Sequence, residues 1–234
     1  MKKIFLLFGI IISTISNAQT PLDASLTMNY GFSKPMGVFA SKNPNNTNAG
    51  FAENGLFFDL SLLIKFGKKM GFATTYISQN NWFDDLNYSK YSHDEINVTV
   101  DKWKINGIML GGVYTTPISS ILDFETKALF GFLDATIPAK YIEYDANPSK
   151  WQKVSSSSSN SFSFLLNMGL KIKVSPRIHI NILYSFLTSN PEFTIQTNDY
   201  LKNETFRTYN QPFQTINLTM GFGIKLGPIS QNKE

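Results

Sequence analysis

Residues 22–33, LDASLTMNYGFS, place Leu22, Ala24, Leu26, Met28, Tyr30 and Phe32 at even positions and small or polar residues at every odd one. Strict period two over this length predicts a strand with one apolar and one polar face. The pattern recurs at 54–66, 70–79, 121–133, 161–174, 178–186 and 213–226, with the bulky apolar residues at even numbers. An eighth segment, 100–114 (VDKWKINGIMLGGVY), also reads as a strand. Its glycines 107, 111 and 112 blur the two faces and leave its inward parity open. No segment has the period of an amphipathic helix of useful length.

The connections alternate in length. Those at 67–69, 115–120 and 175–177 are short, whereas 34–53, 80–99, 134–160 and 187–212 are long. Eight strands joined this way predict an all-β, up-and-down antiparallel barrel with tight turns at one end and long loops at the other. A soluble lipocalin-type barrel shares that order of strands. The charges separate the two. Asp23, Asp59, Lys65, Asp123, Glu125, Lys127, Lys171, Lys173, His179 and Lys225 all stand at odd positions. Turning the even face inward would crowd an eight-stranded interior with Phe, Leu and Ile. The even face is therefore expected to meet lipid and the odd face to line a filled, polar interior.

Within that interior, Asp59, Lys65, Asp123, Glu125, Lys127, Lys171, His179 and Lys225 are expected to form a paired polar network, most of it near the short-turn end. On the lipid face, Tyr30, Phe32, Phe58, Tyr76, Phe130, Phe132, Phe162, Phe164, Tyr184 and Phe186 adjoin the long loops. They are expected to form an aromatic girdle at the outer membrane interface.

The N-terminus adds an address. Lys2 and Lys3 precede an apolar run from Ile4 to Ile12, and Ser16-Asn17-Ala18 offers a small-residue cleavage site before Gln19. This is the anatomy of a secretory signal peptide, too short to span a bilayer. The expected division is a signal peptide over 1–18 and a barrel domain over 19–234. The chain has no cysteine, which excludes a disulfide scaffold and thiolate metal sites. Without Lys2 and Lys3 it carries 19 basic and 17 acidic residues, a balance that gives no sign of a nucleic-acid partner.

Taken together, the chain resembles the small outer-membrane β-barrel proteins of Gram-negative bacteria, the OmpA/OmpX-like eight-stranded family. The resemblance covers the whole mature chain and rests on architecture. Its last strand, TMGFGIKL, is similar to the C-terminal signal read by the barrel-assembly machinery, although Leu226 stands where the family usually ends on an aromatic and GPISQNKE follows. The resemblance implies short periplasmic turns, long extracellular loops, outer-membrane lipid as the surrounding partner, and insertion by that machinery.

Little in the sequence points to catalysis. His93 lies in SHDE of a long loop, where Asp94 and Glu95 make a weak metal candidate, and His179 reads as a member of the interior network. No nucleophile motif occurs. No catalytic residue, metal or cofactor is expected. The run 155–159 reads as a mobile part of the third loop, and Trp82, Phe83, Trp151 and Tyr200 as loop aromatics of undecided role. The expected function is envelope structure, adhesion or the binding of an extracellular or envelope protein through the loops. An accessory role in secretion machinery and a small-solute pore are the alternatives, followed by a lipid-modifying enzyme and a soluble binder.

Overall fold

A computed structural model describes residues 23–43, 45–90, 96–144 and 147–226. Eight strands close into an antiparallel barrel: β1 (Asp23–Pro35), β2 (Ala52–Phe66), β3 (Met70–Phe83), β5 (Trp103–Pro117), β6 (Leu122–Ile137), β9 (Ser157–Lys173), β10 (Ile178–Ser189) and β13 (Phe213–Lys225). Each pairs with its neighbour in the chain of barrel strands, and β1 closes the ring on β13 through Leu26 opposite Ile224 and Tyr30 opposite Met220. These are the eight segments expected from periodicity, several of them extended at the end away from the short turns. Gly67, with φ +86°, lets the chain reverse between β2 and β3 in a conformation that L side chains rarely adopt.

Parity is uniform around the ring. Ser25, Asp59, Thr75, Lys127, Asn167, Asn181 and Asn217 are buried, whereas the even positions beside them carry exposed Leu, Ile, Met, Phe and Tyr. The segment whose faces glycine blurred obeys the same rule. Trp103, Ile105, Met109 and Val113 point inward, and Ile108, Leu110 and Tyr114 point outward. Gly111 occupies an inward position where a Cβ would lie 2.0 Å from the carbonyl oxygen of Ala128 on β6. A closed sheet with an apolar outer surface is one of the two backbone solutions that leave no unpaired group in lipid. The chain is a transmembrane barrel that crosses with strands.

Three expectations require correction. The long connections are not simply loops. Segments within three of them form a second, five-stranded sheet in the order β12-β11-β8-β7-β4, from β4 (Ile96–Val100), β7 (Lys140–Tyr144), β8 (Asn147–Val154), β11 (Glu192–Asp199) and β12 (Glu204–Asn210). Residues 157–159 of the serine run belong to β9, paired with Ala135, Thr136 and Ile137 of β6, because hydrogen-bonding a backbone ladder does not require apolar side chains. Finally, the charged side chains of the interior keep to its short-turn half. Toward the long connections, Phe57, Trp103, Ile105, Met109, Leu129, Leu133, Leu165, Leu187 and Phe213 form an apolar core, set beside uncharged polar residues such as Ser33, Gln79, Asn81 and Ser189.

The expected signal peptide, the SHDE segment with His93 and the tail after Leu226 lie outside the described residues. The one helix among the described residues, α1 (Asp85–Lys90), is a short turn between β3 and β4.

Candidate functional site

The charged interior residues sit in layers because alternate residues of one strand face the same way. Deepest is Asp59 on β2, fully buried, which accepts hydrogen bonds from Asn29 Nδ2 (2.8 Å) and Ser61 Oγ (3.2 Å). Glu125 and Lys127, two apart on β6, both point inward and pair at 3.2 Å. Lys171 on β9 approaches the other oxygen of Glu125 at 3.9 Å, an ion pair too long to be a hydrogen bond. Nearer the short-turn mouth, Lys173 Nζ lies 2.6 Å from Asp123, and Lys225 lies 3.2 Å from Asp23. His179 Nε2 is 3.3 Å from Thr27 Oγ1, and among the described residues no carboxylate pairs with it. Lys65 lines the mouth without an ion pair among the described residues.

These groups surround a vestibule of about 320 Å³ open at the short-turn end. Lys65, Lys68, Lys171, Lys173, Arg177 and Lys225 line it against Asp23 and Asp123. The eight residues named from the sequence thus divide into Asp59 without an ion pair, a buried cluster of Glu125, Lys127 and Lys171, Asp123 and Lys225 in pairs at the rim, and Lys65 and His179 with no carboxylate partner among the described residues. Asp23 and Lys173, odd-numbered charges on the same face, complete the rim pairs.

Above the charged layers, hydrogen-bonded Gln79, Asn81 and Thr215 share their level with the apolar core, Gln79 opposite Phe57 and Ile105 and Asn81 opposite Trp103. The 36–51 connection supplies its plug. Phe39 is fully buried between Trp103 and Phe213, with ring centroids 5.4 and 4.5 Å away in edge-on contacts. Trp103 Nε1 donates to the carbonyl of Gly50 at 3.0 Å, tying the same segment to β5. Phe51, held at φ +47°, stacks on Phe83 and meets Tyr88 of α1 edge-on. Phe83 is therefore a core residue of the mouth. Trp82 is exposed, with Lys102 Nζ 3.2 Å above its ring, and Trp151 stacks on Tyr141.

On the outer wall Tyr30, Phe32, Tyr76, Phe130, Phe132, Phe162 and Tyr184 are exposed, and Phe58, Phe164 and Phe186 half-exposed. Phe130 packs on Phe162 and Phe164, and Phe132 on Phe162, across the β6–β9 pair. A second set, Phe66, Phe72, Tyr114, Phe124 and Phe222, is exposed near the short turns. Their even positions place them on the same apolar face as the expected girdle, at the opposite ends of the strands.

One polar device fixes α1 beside the mouth. Asp84 caps the helix: its carboxylate accepts from the Asn87 amide (3.0 Å) and from Asn87 Nδ2 (2.6 Å), and pairs with Lys42, which also reaches Glu53 at 3.3 Å. Burial alone would raise this carboxyl, but the bonds from Lys42 and Asn87 prevail and bring it to about 2. Its stabilising effect is present above the usual carboxylate value of 3.8 and is lost as pH falls through about 2. Asp84→Ala is expected to destabilise α1 by about 1–2 kcal/mol, seen as faster hydrogen exchange of the α1 amides at pH 7. Acidification from pH 4 to 2 should bring the parent protein toward the variant.

Among the described residues no three His, Cys, Asp or Glu side chains are grouped to hold a metal ion. A closed ring of eight strands, lipid-facing outside and ion-paired within, defines an integral membrane β-barrel. No protein-family model matches the chain, and no curated protein matches it. Solved structures do share its fold. A major outer membrane protein from Thermus thermophilus is 13% identical with a TM-score of 0.52, over 88% of this chain and 99% of that one. Neisserial surface protein A is 12% identical with a TM-score of 0.51, over 87% of this chain and 97% of that one. The chain has the fold of the outer-membrane β-barrels.

Proposed function

We propose that this chain is a non-catalytic protein of the bacterial outer membrane, exported by a cleaved signal over 1–18, whose barrel is an anchor and whose second sheet is its working part. In this reading the short turns face the periplasm and the five-stranded sheet stands at the cell surface, where it serves adhesion or binds an extracellular or envelope partner. The observation that carries it is the sheet itself. Connections of this length need not fold, yet segments of three of them join in one hydrogen-bonded ladder over the mouth. Its outward side shows Tyr141 and Phe206, aromatic residues of the kind enriched at contact surfaces. The first and last barrel strands both open at the short-turn end, which suits a chain that enters and leaves from the periplasm.

Two measurements test this. In planar bilayers the protein should hold a steady baseline, since the apolar core and the Glu125 layer both occlude the lumen. An epitope inserted in the β11–β12 turn at Leu201 should be labelled on intact cells. Regular open-channel steps would replace the anchor with a pore. Labelling that requires a permeabilised outer membrane would reverse the orientation and remove the surface role.

A further inference from the structure

A cavity of about 560 Å³ lies between the second sheet and the rim of the barrel. One wall is a single face of the sheet. Lys140 stands opposite Val154, Val154 opposite Thr197, and Thr197 opposite Thr205, a row that crosses four strands. The facing wall comes from the β1–β2 connection and α1, through Thr47, Phe51 and Tyr88. The volume is that of a small-molecule site.

The lining is chemically one-sided. Two cations, Lys140 and Arg207, face the cavity, and no Asp or Glu does among the described residues. The Lys140 ammonium makes no hydrogen bond or ion pair among the described residues. Its ammonium rests 4.4 Å from the ring centre of Phe83 and 4.5 Å from that of Tyr88. Ring faces offset only part of the cost of removing an ammonium from water. Burial accordingly pushes Lys140 down to about 8. An anionic group entering the cavity would give this charge the partner it lacks. Arg207 stacks 5.4 Å over Tyr209 at the exposed side, where a ligand would enter. Between the two cations the walls offer hydroxyls and an amide, from Thr47, Tyr88, Tyr144, Gln152 and Thr205, beside the aromatic faces.

We propose that this cavity binds an acidic sugar, a hydroxylated ring bearing a carboxylate or a phosphate, with Lys140 holding the anionic group and Arg207 guarding the entrance. Hydroxyl-rich walls match the ring, and the aromatic faces match its C–H edge. The proposal deepens the surface-binding reading and rests on it: the sheet's inner face becomes a ligand site. The other titratable or charged groups lining the cavity among the described residues are Tyr88, Tyr144, Arg207 and Tyr209. Burial raises the phenols of Tyr88 and Tyr209, the latter to about 12. Binding is therefore strongest below about pH 8 and declines above it as Lys140 loses its proton.

The test is titration calorimetry of the folded full-length barrel in detergent with glucuronate, glucose 6-phosphate and glucose. At least one of the two acids should bind at least tenfold more tightly than glucose, and which one does identifies the carboxylate or the phosphate as the ligand group. Lys140→Met should weaken the acid at least tenfold, and the exposed Arg207→Gln about threefold. Lys153→Met, opposite Tyr141 on the sheet's other side, should leave it unchanged. Raising the pH from 7 to 9 should weaken acid binding in the parent but not in Lys140→Met. Equal affinity for glucose, no binding of either acid, or an unchanged Lys140→Met or Arg207→Gln protein would overturn the proposal. Epitope labelling on intact cells reports on the surface reading alone, so the two ideas can fail separately.

Discussion

Lys127→Met is expected to lower the unfolding free energy of the barrel by about 3–5 kcal/mol, the usual cost of stripping one partner from a buried ion pair. Lys127 and Glu125 are each almost fully buried, so the carboxylate left behind cannot recover its hydration. Lys171, at 3.9 Å, is too distant to replace the lost bond without moving. Asp59, the other carboxylate at this depth, accepts from Asn29 and Ser61, and Lys127 is a nearby cation for it too. Exchanging both members, as Lys127→Met with Glu125→Met, should recover most of the loss, since no unpaired charge then remains. Lys225→Met gives the contrast. Its pairing with Asp23 at the mouth is partly exposed, and its loss should cost under about 1 kcal/mol. Equilibrium unfolding in guanidinium chloride, with the protein in lipid vesicles and tryptophan fluorescence as the signal, separates the three. If Lys127→Met costs no more than Lys225→Met, the buried cluster does not hold the barrel together.

The barrel strands can be read from the chain because a lipid-facing wall tolerates few polar residues, and so apolar side chains recur at even positions with few breaks, Thr74 and Thr126 among them. The interior is under a looser rule. Leu63, Leu165 and Leu183 break the alternation at odd positions, and all three are buried. Those breaks are the legible trace of apolar packing inside the lumen, Leu63 toward the short turns and Leu165 beside Leu129 and Leu187 toward the long connections, and they look like noise until the inward direction is known. The second sheet has a weaker signature. EFTIQT (192–197) does alternate, whereas TFRTY (205–209) does not, its Phe206 and Tyr209 being three apart; the two flank a turn around Asp199 and Asn203, where the Asp199 carboxylate accepts from the Asn203 amide at 2.9 Å. Short strands of mixed polarity are hard to distinguish from loop sequence, because neither face must be uniformly apolar. Lys140 had no sequence signal at all. Its role depends on Phe83 and Tyr88, which lie more than fifty residues earlier and meet it only in the folded mouth.

Phe39→Ala should open the mouth without dissolving the barrel. Truncating a fully buried Phe ordinarily costs about 3–5 kcal/mol. Here Phe39 belongs to the 36–51 connection, outside the ring of paired strands, so the loss falls on the docking of that segment. With Trp82→Phe and Trp151→Phe in the background, Trp103 is the remaining tryptophan, and its emission should shift to the red as water reaches the space left by the ring. Proteolysis within 36–51 should quicken, while the compact, heat-sensitive gel mobility of the folded barrel persists. Phe132→Ala, on the lipid side, should move neither signal. Conductance then assigns the closure of the lumen. The Glu125–Lys127–Lys171 layer lies on the short-turn side of the plug and is untouched by the change, so Phe39→Ala alone should keep a steady baseline. Steps appearing in that single variant would mean that the charged layer leaves a path for ions and that Phe39 is the seal.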